Sequence, residues 1–263
     1  MTLAYTTVGN GPTLVIGLHS WLADHQTFMP MAPYLDKSLY TFVFPDFRGY
    51  GKSRDQSGAY DIREIGRDVI ELAETLARTR GTSRYHLLGH SMGGQAAQWI
   101  AGQPGASERL ASVILLSSVP DVGFPLDEQG AAFFGAAATS AEVRAQCASA
   151  VTGGRLGAGF AEAMSRLSIE SAPADTIAAY LKAWTTNDVS AEIAPYGGAV
   201  TVLFGDCDPV LTEQVTRDKV ASRYGDCAVK PIPGSGHYPS METPAYTAAI
   251  VCEALAASPT RTR

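Results

Sequence analysis

Residues 85–103 read YHLLGHSMGGQAAQWIAGQ and place one serine between an apolar run and a helical pattern. An apolar run before Ser91 is typical of a buried strand, and the pattern after it predicts a helix to about Ala101. Gly89 and Gly93 flank the serine in the pattern G-x-S-x-G, in the strand–turn–helix context that this pattern requires. Side chains at the two glycines would collide with the neighbouring strand and helix. The sequence therefore predicts a strained turn that lifts the Ser91 hydroxyl clear of the backbone.

Apolar runs and helical patterns alternate through much of the chain, which predicts a parallel sheet with right-handed crossovers. The segment 61–81 carries apolar residues three and four positions apart, with Asp61 as its N-cap and Gly81 as its end. A last helix is predicted over about 245–256. The strands are expected at residues 13–19, 40–46, 85–90, 111–118, 200–206 and 228–232.

Residues 120–195 interrupt this alternation, because they are rich in Ala and Gly and contain no clear strand. We expect several helices here, inserted as a lid above the sheet. The predicted fold class is α/β, a mostly parallel twisted sheet with helices on both faces. Its core comprises residues 1–119 and 196–263, and the lid comprises residues 120–195.

Composition limits the partners and the compartment. The 263 residues carry a net charge of −6, which argues against nucleic-acid and anionic-membrane partners but points to no particular substrate. We expect a small-molecule substrate. No apolar run approaches a membrane span, and the N-terminus has no basic region typical of a signal peptide. The four cysteines form no CxxC pair or zinc spacing, so we expect reduced thiols in a cytoplasmic protein without a metal. A disulfide between Cys207 and Cys227 is the alternative.

The serine needs a base, since its hydroxyl is a weak nucleophile at neutral pH. His86 and His90 fall within the strand before Ser91, where packing roles suit them better. His237 lies in the Gly-rich segment PGSGHY before the last helix, and a loop histidine there can reach the edge of the sheet. We predict that His237 is the general base.

The acid that orients the base should follow a strand that lies between the serine and the histidine in sequence. The segment VTVLFGDCDPVLT offers Asp206 and Asp208. Asp208 is favoured, because it lies past the turn and can aim its carboxylate at the imidazole of His237. Asp206 is then expected to have a turn or capping role.

An oxyanion formed at Ser91 needs two hydrogen-bond donors. The backbone N–H of Met92, at a helix N-terminus, is one. The second is expected from the loop after the first long strand, where the Trp21 N–H is the best candidate and Ser20 the next.

Bulky apolar side chains predict a pocket for a small or medium hydrophobic substrate. The pocket candidates are Trp21, Phe28, Phe124, Phe133, Phe134 and Trp184.

With these motifs the chain resembles the α/β-hydrolase fold family. The resemblance implies an eight-stranded sheet, a helical lid and a Ser–His–Asp triad, here Ser91, His237 and Asp208, without a cofactor. It also implies a structural turn at DFRGYGKS, with a local ion pair between Asp46 and Arg48. The chain departs from the family in two ways. Few residues precede the first clear strand, so seven or eight strands are expected. The usual His-Gly before the oxyanion residue is His19-Ser20 here. The matching segments are LVIGLHSW (14–21), PDFRGYGKS (45–53), GHSMGG (89–94), LFGDCDPV (203–210) and PGSGHY (233–238).

Three functions remain open. Epoxide hydrolases and haloalkane dehalogenases resemble this chain but place Asp at the nucleophile position, so Ser91 favours a carboxylesterase or lactonase that works through an acyl-enzyme. The segment SWLADHQTF (20–28) is similar to one in the cofactor-free dioxygenases of this fold, which would use the His–Asp pair as a base on a hydroxylated heteroaromatic. A non-catalytic ligand-binding homologue is the third.

Overall fold

The fold is described from a computed structural model that covers residues 2–225 and 227–258. Within these residues, seven strands form one sheet in the order β1-β3-β2-β4-β5-β6-β7. β1 pairs with β3 in antiparallel orientation, and the other pairs are parallel. The strands are β1 Tyr5–Val8, β2 Thr13–Leu18, β3 Tyr40–Pro45, β4 Tyr85–His90, β5 Leu110–Leu116, β6 Ala199–Gly205 and β7 Cys227–Ile232.

The sheet confirms the predicted fold class, a mostly parallel sheet of seven strands. All six strands predicted from apolar runs are present, and β1 is the one that the sequence did not reveal. Its four residues alternate between exposed and half-buried, so they lack the continuous apolar run of a central strand. β4 shows the central pattern: Leu87 packs into the core on one face of the sheet and Leu88 into the core on the other.

Helices cover both faces and close the site. The prediction of the first long helix is confirmed: the Asp61 carboxylate accepts the Glu64 N–H, and Gly81 ends the helix at φ 66°. Short 3-10 segments lie at His25–Tyr34, Gly51–Ser53, Ser190–Glu192 and Ala221–Arg223, and a π-helical turn at Thr216–Val220. The α-helices are α1 Ile62–Arg80, α2 Met92–Ala101, α3 Ala106–Arg109, α4 Glu128–Ala136, α5 Ala141–Val151, α6 Ala158–Ser171, α7 Ala174–Thr186, α8 Glu213–Val215, α9 Pro239–Glu242 and α10 Pro244–Ala256.

Four helices, α4–α7, lie between β5 and β6, where the lid was expected. The division into a core and a lid at residues 120 and 195 stays a prediction, and residues 259–263 of the expected core lie outside the described residues. Cys207 and Cys227 are not bonded to each other. In the part of the chain that the structure describes, no helix is long and apolar enough to cross a membrane.

Candidate active site

Ser91 sits at a sharp turn between β4 and α2, with backbone angles of φ 54° and ψ −117°. A positive φ is rare for a serine and is held only when the surroundings enforce it. A Cβ on Gly89 would lie 2.6 Å from the Gly93 carbonyl oxygen, and a Cβ on Gly93 would overlap the carbonyl oxygen of Leu18. The glycines are therefore required by close packing, as the sequence predicted.

The structure brings Ser91, His237 and Asp208 together. His237 Nε2 lies 3.0 Å from Ser91 Oγ, across 146 residues of sequence. The other ring nitrogen, Nδ1, lies 2.8 Å from Asp208 Oδ2. A carboxylate can only accept, so Nδ1 carries a hydrogen, and in the neutral ring Nε2 is then bare and can accept the serine hydroxyl. This is the tautomer that a base acting on Ser91 needs.

Asp208 is built to remain an anion. Burial alone would raise the pKa of its carboxyl group, but the nearby His237 and hydrogen bonds from the ring and the backbone hold that pKa below its ordinary value. Its second oxygen accepts the backbone N–H groups of Val210 and Leu211, each at 2.9 Å. Asp206 instead accepts the Gly234 N–H at 2.8 Å, so it ties the β6 loop to the loop before His237.

His237 is also held by its backbone. Its carbonyl oxygen lies 2.7 Å from His90 Nε2, and its N–H donates to the Val151 carbonyl at the end of α5, at 3.2 Å. His90 Nε2 must carry a hydrogen to make this bond, which leaves Nδ1 bare; Nδ1 has no partner among the described residues. Burial lowers the pKa of His90 to about 3, so the ring is neutral. The sequence indicated only packing for His90, because its distant carbonyl partner is invisible in a local pattern.

The loop after β2 presents the Trp21 N–H in a fixed direction. His19 Nε2 accepts the Phe47 N–H at 3.1 Å, so Nδ1 of the same ring carries a hydrogen and donates to the Ser20 carbonyl at 2.8 Å. In a trans peptide the C=O and N–H point in opposite directions. The Trp21 N–H therefore points away from His19. Met92 is the first residue of α2, so its N–H has no partner within the helix.

A mostly apolar cavity of about 50 Å³ adjoins the serine. No Lys, Arg, Asp or Glu is among its described lining residues. Sequence reasoning missed half of the lining, because those residues come from five separate segments. The lining residues are Ser20, Trp21, Leu22, Ser91, Val119, Phe124, Phe134, Cys147, Val151, Trp184, Val210, Leu211, His237 and Tyr238.

Two of the six pocket candidates lie elsewhere. Phe28 is fully buried on the other side of the sheet core, stacked on Phe44 with ring centroids 4.8 Å apart. Phe133 packs edge-on against Phe134 and does not line the cavity. Aromatic character alone does not tell a core residue from a lining residue, which is why the prediction for both was wrong.

Cys147 does line the cavity, and burial raises the pKa of its thiol to about 12, so the thiol stays protonated.

The expected ion pair between Asp46 and Arg48 is also wrong. Arg48 donates to both carboxylate oxygens of Asp68 on α1, at 2.7 and 2.8 Å. Asp46 instead accepts from His25 Nδ1 at 2.8 Å and from the Lys52 N–H at 2.8 Å. Each of the two residues therefore has its own partner from another segment, and closeness in sequence did not pair them.

Metal-binding potential in the described residues is confined to Asp24, His25 and Asp46, whose candidate ligand atoms lie within 4.8 Å of one another. Both Asp46 oxygens already accept protein N–H groups, and Asp24 Oδ1 accepts the Gln26 N–H at 2.9 Å. The cluster is therefore accounted for as a hydrogen-bonded turn at the start of the first 3-10 segment.

Comparison with known proteins gives the family. A fluoroacetate dehalogenase from Burkholderia sp. is 37% identical over 98 residues, which are 35% of this chain and 30% of that enzyme. A 1H-3-hydroxy-4-oxoquinoline 2,4-dioxygenase from Pseudomonas putida is 26% identical over 126 residues, 47% of this chain and 45% of that enzyme. Each of these matches spans less than half the length of the curated relative.

Solved structures agree on the fold. An esterase from Exiguobacterium antarcticum superposes with a TM-score of 0.79 at 17% identity, covering 97% of this chain and 96% of that one. At this identity the likeness shows the fold alone. The sequence model of the alpha/beta hydrolase family matches residues 15–250, from β2 into α10. Because this match spans most of the chain, the protein belongs to the alpha/beta hydrolase family.

Proposed function

We propose that this protein is a serine hydrolase that cleaves a carboxylic ester or lactone through an acyl-enzyme. The observation that carries the proposal is the 3.0 Å contact between Ser91 Oγ and the bare Nε2 of His237, whose other nitrogen donates to buried Asp208. A hydroxyl, a neutral imidazole and a carboxylate in this order can move a proton off the serine as it attacks carbon.

In the first half of the proposed cycle, Ser91 Oγ bonds to the substrate carbonyl carbon while its proton passes to His237 Nε2. The negative charge that develops on the carbonyl oxygen is held by the N–H groups of Trp21 and Met92. Such preorganised donors are worth about 3–4 kcal/mol each when one is removed. His237 then gives the proton to the departing alcohol oxygen, and the acyl group remains on Ser91.

In the second half, water takes the place of the alcohol. His237 accepts a proton from water as its oxygen attacks the acyl carbon, and returns it to Ser91 Oγ as the acid leaves. Asp208 stays ionised throughout and stabilises the charged imidazole. The proton that Ser91 loses to the alcohol is replaced by one from water, so the proposed cycle balances with the ester and water as its two substrates.

The cavity supports a small or medium uncharged substrate. Its lining is dominated by aromatic and aliphatic side chains, and burying an ion there without a partner would be costly. Ser91 stands where dehalogenases and epoxide hydrolases of the fold carry Asp, so we do not assign those reactions. The cytoplasmic location, drawn from cysteine usage, and a small-molecule partner without nucleic acid or membrane remain proposals.

One observation favours a second candidate. The dioxygenase from Pseudomonas putida is similar to this chain over 126 residues, which are 47% of this chain and 45% of that enzyme. A dioxygenase would need the His237–Asp208 pair as a base but not Ser91 as a nucleophile.

Ser91→Ala separates the two candidates. We expect the variant to lose hydrolysis of p-nitrophenyl acetate by roughly 10⁴-fold or more, because the acyl-enzyme cannot form. Oxygen consumption with a 3-hydroxy-4-oxoquinoline, measured with an oxygen electrode, should be absent from both proteins. Oxygen uptake that survives the substitution would support the dioxygenase instead. Absence of both activities from the wild type would favour a non-catalytic binding protein.

A further inference from the structure

The proposed base His237 lies in a short segment without regular secondary structure. Residues 233–238 join the end of β7 to the start of α9, and Gly234 in this segment has a φ of 69°. The His237 ring must stay within hydrogen-bond reach of Ser91, because a small displacement of a catalytic group can lower a rate by about 100-fold. The backbone around His237 therefore has to be fixed by contacts from outside the segment.

A single carboxylate makes contacts on both sides of His237. Glu242 Oε2 accepts the Gly236 N–H at 2.8 Å, and Glu242 Oε1 accepts the Tyr238 N–H at 2.8 Å. The glutamate side chain is 1% exposed. Hydrogen bonds to an ionised acceptor are shorter and stronger than those between neutral groups. Glu242 therefore holds the residue before the base and the residue after it.

Helix capping explains one of these two bonds. Tyr238 immediately precedes α9, and a glutamate that reaches back to the backbone N–H at this position is a capping arrangement. Gly236 lies two residues further upstream, beyond the end of the helix. The helix does not require the bond between Gly236 and Glu242, so this bond needs another explanation.

The carboxylate is itself held by the segment that follows α5. Arg155 Nη2 donates to Glu242 Oε2 at 2.6 Å and compensates the charge of the buried carboxylate. α5 ends at Val151, whose carbonyl oxygen accepts the His237 N–H at 3.2 Å. The N–H groups of three consecutive residues, 236–238, are therefore all bound, the outer two by Glu242 and the middle one by α5.

We propose that Glu242, held by Arg155, is a positioning residue that keeps His237 Nε2 within reach of Ser91 Oγ. It acts through the backbone on either side of the base and is not among the residues that line the cavity. This inference rests on the proposed hydrolase function and adds to it a residue that touches neither the substrate nor the reacting atoms.

Glu242→Gln tests the proposal with little change in shape. Arg155 and the Gly236 N–H both donate to Oε2, so the one oxygen of glutamine is drawn there and its NH2 group faces the Tyr238 N–H. We expect kcat on p-nitrophenyl acetate to fall by about 10- to 100-fold while KM changes less than about twofold, because the base is displaced and the cavity is not. The assay is run at a temperature where circular dichroism shows the variant to be folded.

Glu64→Gln is the matched control. Glu64 Oε1 accepts the Ala59 N–H at 3.0 Å, Oε2 accepts the Tyr60 N–H at 2.9 Å, and the side chain is 14% exposed. It also has an arginine nearby, since Arg48 Nε lies 3.9 Å from Oε1. None of these residues lines the cavity, so kcat should stay within about twofold of wild type. Equal losses of kcat in the two glutamine variants would overturn the positioning role, as would an unchanged kcat in Glu242→Gln.

Arg155→Met is a second variant, because it removes the donor and keeps the carboxylate. The Arg155 side chain is 31% exposed, and we expect kcat to fall by about two- to fivefold, the value of a partly exposed ion pair. If Glu242→Gln does not fold, Arg155→Met decides, and an unchanged kcat in this variant contradicts the proposal.

A spectroscopic readout does not depend on turnover. The hydrogen on His237 Nδ1, which lies between the ring and Asp208, gives a proton NMR signal that is assigned by its absence from His237→Gln. It should broaden through faster exchange with water in Glu242→Gln and Arg155→Met, because the segment around the base opens more often, but not in the Glu64→Gln control.

This signal separates the failure of the two proposals. If fluorophosphonate does not label Ser91 of the wild type, yet the His237 signal broadens in Glu242→Gln and Arg155→Met alone, the hydrolase proposal fails and the positioning of His237 stands. An equally sharp signal in all the variants contradicts the positioning itself.

Discussion

Two Asp–His pairs occupy different regions of this molecule, and they look alike in isolation. His237 Nδ1 lies 2.8 Å from Asp208, and His25 Nδ1 lies 2.8 Å from Asp46. Both carboxylates are buried, and for both the hydrogen bonds and the neighbouring imidazole hold the pKa below its ordinary value although burial opposes this. Only His237 has a serine hydroxyl at its second nitrogen.

A lowered carboxyl pKa and a short Asp–His contact therefore do not identify the reactive pair by themselves. Asp46 also accepts the His25 and Lys52 backbone N–H groups, at 3.0 and 2.8 Å, and so stabilises the local turn. His25 is not among the residues that line the cavity, whereas His237 is. The proposed catalytic pair differs from the other in having the strained serine and the cavity beside it. Matched substitutions in the two pairs test whether this difference decides activity.

The largest contrast is expected from Asp208→Asn and Asp46→Asn. Asparagine at 208 can still accept from Val210 and Leu211, but it no longer selects the tautomer with a bare Nε2. We expect kcat/KM on p-nitrophenyl acetate to fall by roughly 10⁴-fold. Asp46→Asn should leave kcat/KM within about twofold and lower the free energy of unfolding by about 1.5–3 kcal/mol, since it loses hydrogen bonds to a charged group. Similar activity losses in the two variants would contradict the distinction.

A smaller effect is expected at the imidazole that anchors the loop. His90→Leu removes the donor to the His237 carbonyl, so the base should be displaced from Ser91. We expect kcat to fall by about 10- to 100-fold with little change in KM, as for other small displacements of catalytic groups. His90→Gln keeps an N–H donor and should recover most of the loss.

The same two substitutions at His25 serve as the control and should leave kcat unchanged. If His90→Leu lowered stability but not kcat, the positioning role assigned to its 2.7 Å hydrogen bond would be wrong.

The smallest effect concerns pH and a histidine outside the site. Burial lowers the pKa of His86 to about 4, and its Nδ1 lies 2.7 Å from Ser112 Oγ. Between this pKa and the ordinary histidine value of about 6.5, the unfolded chain binds a proton that the folded chain does not. Stability should therefore fall as the pH drops through this window, by at most about 1.4 kcal/mol per pH unit for this group.

His86→Gln should flatten that slope, measured as the free energy of unfolding in urea at pH 4.5, 5.5 and 6.5. An unchanged slope would mean that His86 is charged in the folded protein or that another group dominates. His90, whose pKa is lowered to about 3 by burial, should contribute to the same fall in stability.

Much of the fold could be predicted from the sequence because its signals are local. The glycines around Ser91 report a backbone constraint directly, and continuous apolar runs report strands buried on both faces. β1 was not predicted, because an edge strand of four exposed or half-buried residues carries no such run. The helix ends at Asp61 and Gly81 were predictable because capping is a property of single residues.

The environment of the site was harder to predict because it depends on contacts between distant segments. His237 and Asp208 could be named from their loops, but the anchoring bond from His90 could not. Phe28 and Phe134 have the same side chain, and only the fold places the first in the core and the second at the cavity. The sequence suggested Asp46 as the partner of Arg48, because the fold alone shows that Asp68 of α1 lies next to Arg48.

The most direct measurement of the central claim is covalent labelling of the folded protein with a fluorophosphonate, followed by intact-mass and peptide mass spectrometry. If His237 and Asp208 make Ser91 nucleophilic, one equivalent should attach at Ser91 and at no other serine. The Ser91→Ala protein should remain unlabelled, and Asp208→Asn should be labelled far more slowly than Asp46→Asn. No labelling of the wild type, or labelling at the same rate in both asparagine variants, would contradict the account.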